Sequence, residues 1–210
     1  MKRHITLLGD SIFDNKIYVP DGLSVYEHLT NMLTDADKAS LVAVDGAVIS
    51  SVFRQVERIP EATTHLVLSV GGNDALHLES SVFEQQSDDI RDALAKMKAS
   101  LETFQCEYAK LIETLLNLKL PLAVCTVYDS IPGLDDAALC GLAIINDIIT
   151  RIAFENSVNL IDLRVLCDES KDYSAVSPIE PSHQGGQKIS HVINQATSEV
   201  TSSSSQVFKR

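Results

Sequence analysis

At 210 residues the chain is long enough for one α/β domain with a full core, and its 45% hydrophobic and 22% charged residues are an ordinary globular balance. A formal net charge of −12 repels phosphate backbones and anionic membrane surfaces, and no lysine/arginine stripe with interleaved aromatics offsets it. Nucleic acid is therefore not an expected partner.

The N-terminal Met1–His4 runs straight into an apolar stretch too short for a signal sequence, and no run approaches the roughly 20 apolar residues of a membrane span. A cytoplasmic protein without a membrane span is the expectation. Ile5–Leu8 reads as a first strand. Leu23, Tyr26, Leu29, Met32 and Leu33 then recur at helical spacing. Leu41–Val44 reads as a second strand, and Ile49–Ile59 as an amphipathic helix with Ile49, Val52, Phe53, Val56 and Ile59 on one face. Leu66–Val70 is a third strand, and Asp89–Lys119 gives a long helical pattern. Leu122–Val127 is a fourth strand, Asp135–Phe154 a helix, and Val158–Ile161 a fifth strand. A last helix runs from about Gln187 to Glu199, and the polar residues 201–210 read as a flexible tail after a single domain over residues 1–200.

Continuous apolar strands alternating with helices predict buried parallel strands. The expected fold is α/β: a three-layer α/β/α sandwich on a five-stranded parallel sheet, in the flavodoxin-like order 2-1-3-4-5. Cys106, Cys125, Cys140 and Cys167 form no Cys-x-x-Cys pair and no zinc framework, and Cys125, in an apolar run, reads as a core residue. No metal or other cofactor is expected.

In such a fold the loops after the strands converge on one edge, and four of them carry unusual residues. The first strand runs into Gly9-Asp10-Ser11-Ile12, where a glycine-led turn either caps a helix or presents a serine hydroxyl as a nucleophile. The second strand is followed by Asp45-Gly46-Ala47, the third by Gly71-Gly72-Asn73-Asp74, and the last helix is preceded by Glu180-Pro181-Ser182-His183. Together they supply a hydroxyl, a glycine amide, a side-chain amide and an imidazole with a nearby carboxylate, which is an inventory for acyl transfer. Gly-x-Gly-x-x-Gly and Walker A patterns, which would point to nucleotide phosphates, do not occur.

This set resembles the SGNH hydrolases, the GDSL esterase/lipase superfamily, in which Ser, Gly, Asn and His come from four sequence blocks in this order. Gly9-Asp10-Ser11-Ile12 matches the first with Ile12 in place of the usual Leu, and Gly71-Gly72-Asn73-Asp74 matches the third fully. The second is met loosely around Gly46, and the last, normally Asp-x-x-His, begins here with Glu180. The resemblance implies a serine esterase of small or medium acyl esters working through an acyl-enzyme. Ser11 would be the nucleophile, His183 its base and Glu180 the carboxylate that orients the imidazole. The Ser11 N–H, the Gly46 N–H and the Asn73 side chain would form the oxyanion hole. Glu180-Pro181 could instead merely shape a turn, leaving His183 on a backbone carbonyl. A second reading is an SGNH-fold binding module that has lost turnover. Asp10 and Asp74 are expected to brace the loops. His4, His28, His65, His77 and His191 are expected to take no part in catalysis, with His77 on a loop at the active edge. Substrate selectivity is expected from Phe13–Pro20, from residues 75–87 and from Tyr128–Leu134. Oligomeric state is left open by the sequence.

Overall fold

The computed structural model describes residues 2–82, 85–198 and 205–209. The described residues form one parallel sheet of six strands in the order β2-β1-β3-β4-β5-β6. The strands are β1 His4–Gly9, β2 Lys38–Leu41, β3 His65–Ser69, β4 Leu122–Cys125, β5 Asn159–Ile161 and β6 Val207–Phe208. The helices are α1 Val25–Met32, α2 Ile49–Val56, α3 Gly72–Val82, α4 Ile90–Leu116, α5 Asp136–Glu155 and α6 His183–Ser198.

Alternation along the strands divides the core between the two faces of the sheet. Leu8, Leu66, Leu68, Val124 and Leu160 face a layer that includes α2, α4 and α5. Ile5, Leu7, Val67, Ala123 and Ile161 face the other layer, where Val25 and Leu29 of α1 pack with Ile189 and Ile193 of α6. The three-layer α/β/α architecture and the order of the first five strands are as expected.

Four details differ. The sheet has six strands, because part of the expected tail pairs in parallel with β5: Leu160 stands opposite Val207 and Ile161 opposite Phe208. Phe208 is buried in the core, and that burial anchors the segment; residues 201–204 and 210 lie outside the described residues. The second strand is shifted to Lys38–Leu41, because the N–H groups of Val42 and Ala43 both donate to the Leu7 carbonyl and the chain leaves the regular ladder there. A helix, α3, begins at Gly72 where a loop was expected, so Asn73, Asp74 and His77 are helical residues. Finally, α5 is long and apolar enough to cross a membrane by length and composition, but its Ile145, Ile149 and Ile152 are buried in the core.

Candidate active site

Ser11 lies at the carboxyl end of β1. Gly9 reaches this point with φ +124°, and a Cβ there would fall 1.7 Å from the Ser69 carbonyl oxygen of β3. Only glycine allows the two strand ends to approach so closely. The turn that follows is held from several sides. The Asp10 N–H donates to Ser69 O at 3.0 Å, and the Ile12 N–H to Asp10 Oδ1 at 3.1 Å. The N–H groups of Phe13 and Asp14 both return to Asp10 O, closing a single helical turn in place of a helix. No acceptor faces the Ser11 N–H among the described residues.

Two buried amide side chains that the sequence reading passed over complete this frame. Gln55 of α2 accepts from the Gly9 N–H at 2.8 Å and donates to Gly9 O at 2.7 Å. Asn15 donates to Pro181 O and accepts from the Val25 N–H, both at 3.0 Å, which ties the serine loop to the segment carrying Glu180. A third amide, Asn146 of α5, clamps both backbone groups of Val127 at 2.8 Å, just beyond β4. Each is buried, and a buried amide must find partners.

The serine hydroxyl donates to Glu180 Oε1 at 2.9 Å. Glu180 is 4% exposed, and its other oxygen, Oε2, is buried without a partner. Burial pushes this carboxyl up to about 7, Asp45 adds to the rise, and the Ser11 hydroxyl opposes it. Asp10, also buried, is pushed up to about 8 by desolvation, with the Glu180 charge contributing. Asp74 is raised to about 6 by burial and accepts the Ile49 N–H. Asp10 and Asp74 therefore both brace backbone.

His183 stands elsewhere. It is the first residue of α6, exposed, and turned toward α1. Its Nδ1 accepts the Leu23 N–H at 2.9 Å, and its ring lies 4.5 Å from that of His28. His28 Nε2 lies 3.2 Å from the same Nδ1 and 3.0 Å from the His183 carbonyl. The base expected for Ser11 is thus not brought to the serine in this structure. Its contacts with Leu23 and His28 give the physical reason. A triad imidazole donates through one nitrogen and accepts the serine proton with the other. Here Nδ1 accepts the Leu23 N–H, so it does not donate to a carboxylate as in a triad. Glu180, expected behind the histidine, holds the position beside the serine.

Of the expected oxyanion donors, Ser11 and Asn73 line one cavity. The Asn73 Nδ2 donates one hydrogen to Ala47 O at 3.0 Å, which leaves the second for a ligand. Gly46 is not among the cavity residues. It sits exposed in a turn closed by the Ala47 N–H on Val44 O, with φ +74°.

Ser11, Asn73 and Glu180 all line one cavity that is open to solvent. Tyr128, Ile131 and Leu134 line it, as expected for one of the three selectivity segments, whereas Ile12 lines it in place of any residue of the expected Phe13–Pro20. Residues 75, 76 and 78 contribute from the third, of which 83 and 84 lie outside the described residues. Phe13 instead belongs to the core, and Tyr128 is buried, with its hydroxyl on Ile179 O at 2.6 Å. Much of the lining comes from α4 and α5, which were not expected to reach the site.

Solved structures share this architecture over nearly their whole length. A member of the lipolytic protein G-D-S-L family from Veillonella parvula superposes with a TM-score of 0.70 at 17% identity, covering 94% of this chain and 100% of that one. Phospholipase A1 from Streptomyces albidoflavus gives 0.66 at 16%, covering 93% and 100%. A variant of an acetyl-xylooligosaccharide esterase from Geobacillus gives 0.66 at 15%, covering 94% and 95%. No protein-family model matches the sequence, and no curated protein matches it. The chain has the fold of the G-D-S-L lipolytic hydrolases. Proteins named for lipids and for acetylated sugars share that fold, so the site must decide the chemistry.

Proposed function

We propose that this protein hydrolyses carboxylic esters through an acyl-enzyme on Ser11, with Glu180 as the general base. The observation that carries the reading is the 2.9 Å hydrogen bond from Ser11 Oγ to a buried carboxylate that takes up its proton near neutrality. A general base is most effective when its pKa lies close to the working pH. Ionised Glu180 takes the hydroxyl proton as Ser11 attacks the ester carbonyl. The developing oxyanion is met by the Ser11 N–H and the second Asn73 Nδ2 hydrogen. Protonated Glu180 then gives its proton to the departing alcohol. In the second half-reaction Glu180 activates a water that releases the acid and restores the hydroxyl. Asn15 and Gln55 keep serine and carboxylate in register, and Asp10 stiffens the turn.

The test is covalent labelling by a fluorophosphonate. Labelling confined to Ser11, lost in Ser11→Ala and strongly slowed in Glu180→Gln, is the expected result. The engaged Nδ1 of His183 favours one competing reading, a binding module without turnover. Absence of labelling in folded protein, together with no hydrolysis of p-nitrophenyl esters, selects that reading instead.

A further inference from the structure

The cavity extends from Ser11 to the helical layer. Polar Ser11, Asn73 and Glu180 line it together with apolar Leu78 of α3, Met97 and Leu101 of α4, and Leu142 and Ile145 of α5. Several of the polar groups along the wall are already engaged. The Tyr128 hydroxyl is held by Ile179 O, Asp10 Oδ1 accepts the Ile12 N–H, and the Ser100 hydroxyl lies 3.5 Å from Lys96 O. A sugar would bring several hydroxyls that find few free partners here, whereas a hydrocarbon needs none. The wall is also long. Ala138 and Ile145 both line it, and at 1.5 Å per residue they are on the order of 10 Å apart along α5. An acetyl group ends after one carbon–carbon bond, so it would leave most of this space unfilled.

Gly141 of α5 is the second observation. Glycine inside a helix costs about 0.5–1 kcal/mol relative to alanine, so it calls for a reason. Neither of the usual ones applies. Its φ is not positive, and an added Cβ would meet no atom within 4 Å. What lies over Gly141 is the cavity. The glycine keeps the passage open.

We infer that the cavity is an acyl-chain channel and that the substrate is an ester of an unbranched aliphatic acid of medium or greater length, its tail lying between α3, α4 and α5 past Gly141. This rests on reading Ser11 as the nucleophile, which places the acyl carbonyl beside that hydroxyl and the tail along the apolar lining. Leu76 and Ile179, both partly exposed and both lining the cavity, flank the entrance with apolar surface.

The experiment is a p-nitrophenyl ester series from acetate to decanoate, read as kcat/KM in wild type, Gly141→Ala and Gly141→Leu. In wild type the value should rise roughly three- to fourfold per methylene until the channel is filled. Gly141→Leu, with four more carbons in the passage, should move the optimum to shorter acyl groups and lower the octanoate-to-acetate ratio at least tenfold. Gly141→Ala should lower the ratio less; its better helix propensity keeps the test available if the leucine variant does not fold. A flat or falling wild-type series, or an unchanged ratio in the variants, overturns the channel. If no ester is turned over in a Ser11-dependent way, the nucleophile assignment fails and the channel is judged on binding alone. Calorimetric uptake of 1-octanol by wild type, weakened in Gly141→Leu, then supports it, and no uptake overturns it.

Discussion

The serine turn and the segment from Ile179 to His183 meet at the Ser11–Glu180 and Asn15–Pro181 hydrogen bonds but are held differently. Around Ser11 the backbone is fixed by its own strand ends, by Asp10 and by the Gln55 clamp. Around Glu180 the backbone is fixed by its neighbours: the Ser174 N–H donates to Glu180 O, the Glu180 N–H to Ser177 O, and the Ser182 N–H to Asp172 O. Glu180 closes a turn on Ser177 just before Pro181, which forms an isolated antiparallel bridge with Tyr173, while His183 opens a helix. A Glu-x-x-His spacing across that change of backbone sends the two side chains apart. The lesson is that a motif on a continuous turn fixes direction, and a motif straddling a turn-to-helix junction does not.

The largest expected effect tests a shared point of both segments. Ser11→Ala should reduce kcat/KM for the best ester by at least about 10³-fold. Glu180→Gln should cost roughly 10²–10⁴-fold. In wild type kcat/KM should rise with pH through about 7 as Glu180 ionises, and the variant should lose that rise. Asn73→Ala should cost on the order of 10²–10³-fold, mainly in kcat, if its amide serves the transition state. His183→Ala separates the two histidine roles most sharply. Loss of the Leu23 and His28 contacts should cost about 1 kcal/mol, lowering Tm by about 2–4 °C, with kcat/KM changed less than about fivefold. A loss equal to that of Glu180→Gln would restore His183 as the base and undo the contrast drawn above.

The smallest effect concerns stability. Asp10, Asp74 and Glu180 all hold their protons more tightly folded than unfolded. Their contribution is therefore greatest below about pH 4 and is lost as pH rises toward 8. Carboxyls with lowered values, such as Asp37 and Glu27, act in the opposite sense and weaken the fold in stronger acid. Tm should peak on the acid side of neutrality and fall between pH 5.5 and 8.5. Asp10→Asn should flatten that fall; an equal fall in the variant would remove Asp10 from the explanation.

Much of the fold was legible because β1, β3, β4 and β5 are short, mostly apolar runs. Ser11 and Asn73 were legible because their motifs follow such runs directly. Three features were hidden for physical reasons. The start of α3 at Gly72 was masked by paired glycines, which punctuate turns more often than they open helices. The partnership of Glu180 with Ser11 depends on which side chain points inward, and residue spacing does not encode that. The reach of α4 and α5 into the cavity depends on tertiary packing around Gly141, whose local sequence reads as ordinary helix.

The two-residue β6 carries a consequence for the whole sheet. The Gln206 carbonyl just before it takes up the backbone N–H of Leu160, and its Phe208 carbonyl that of Asp162. Removing residues 205–210 would leave β5 as a bare border whose unpaired amides recruit the border of a second molecule. Light scattering of such a shortened chain should report self-association.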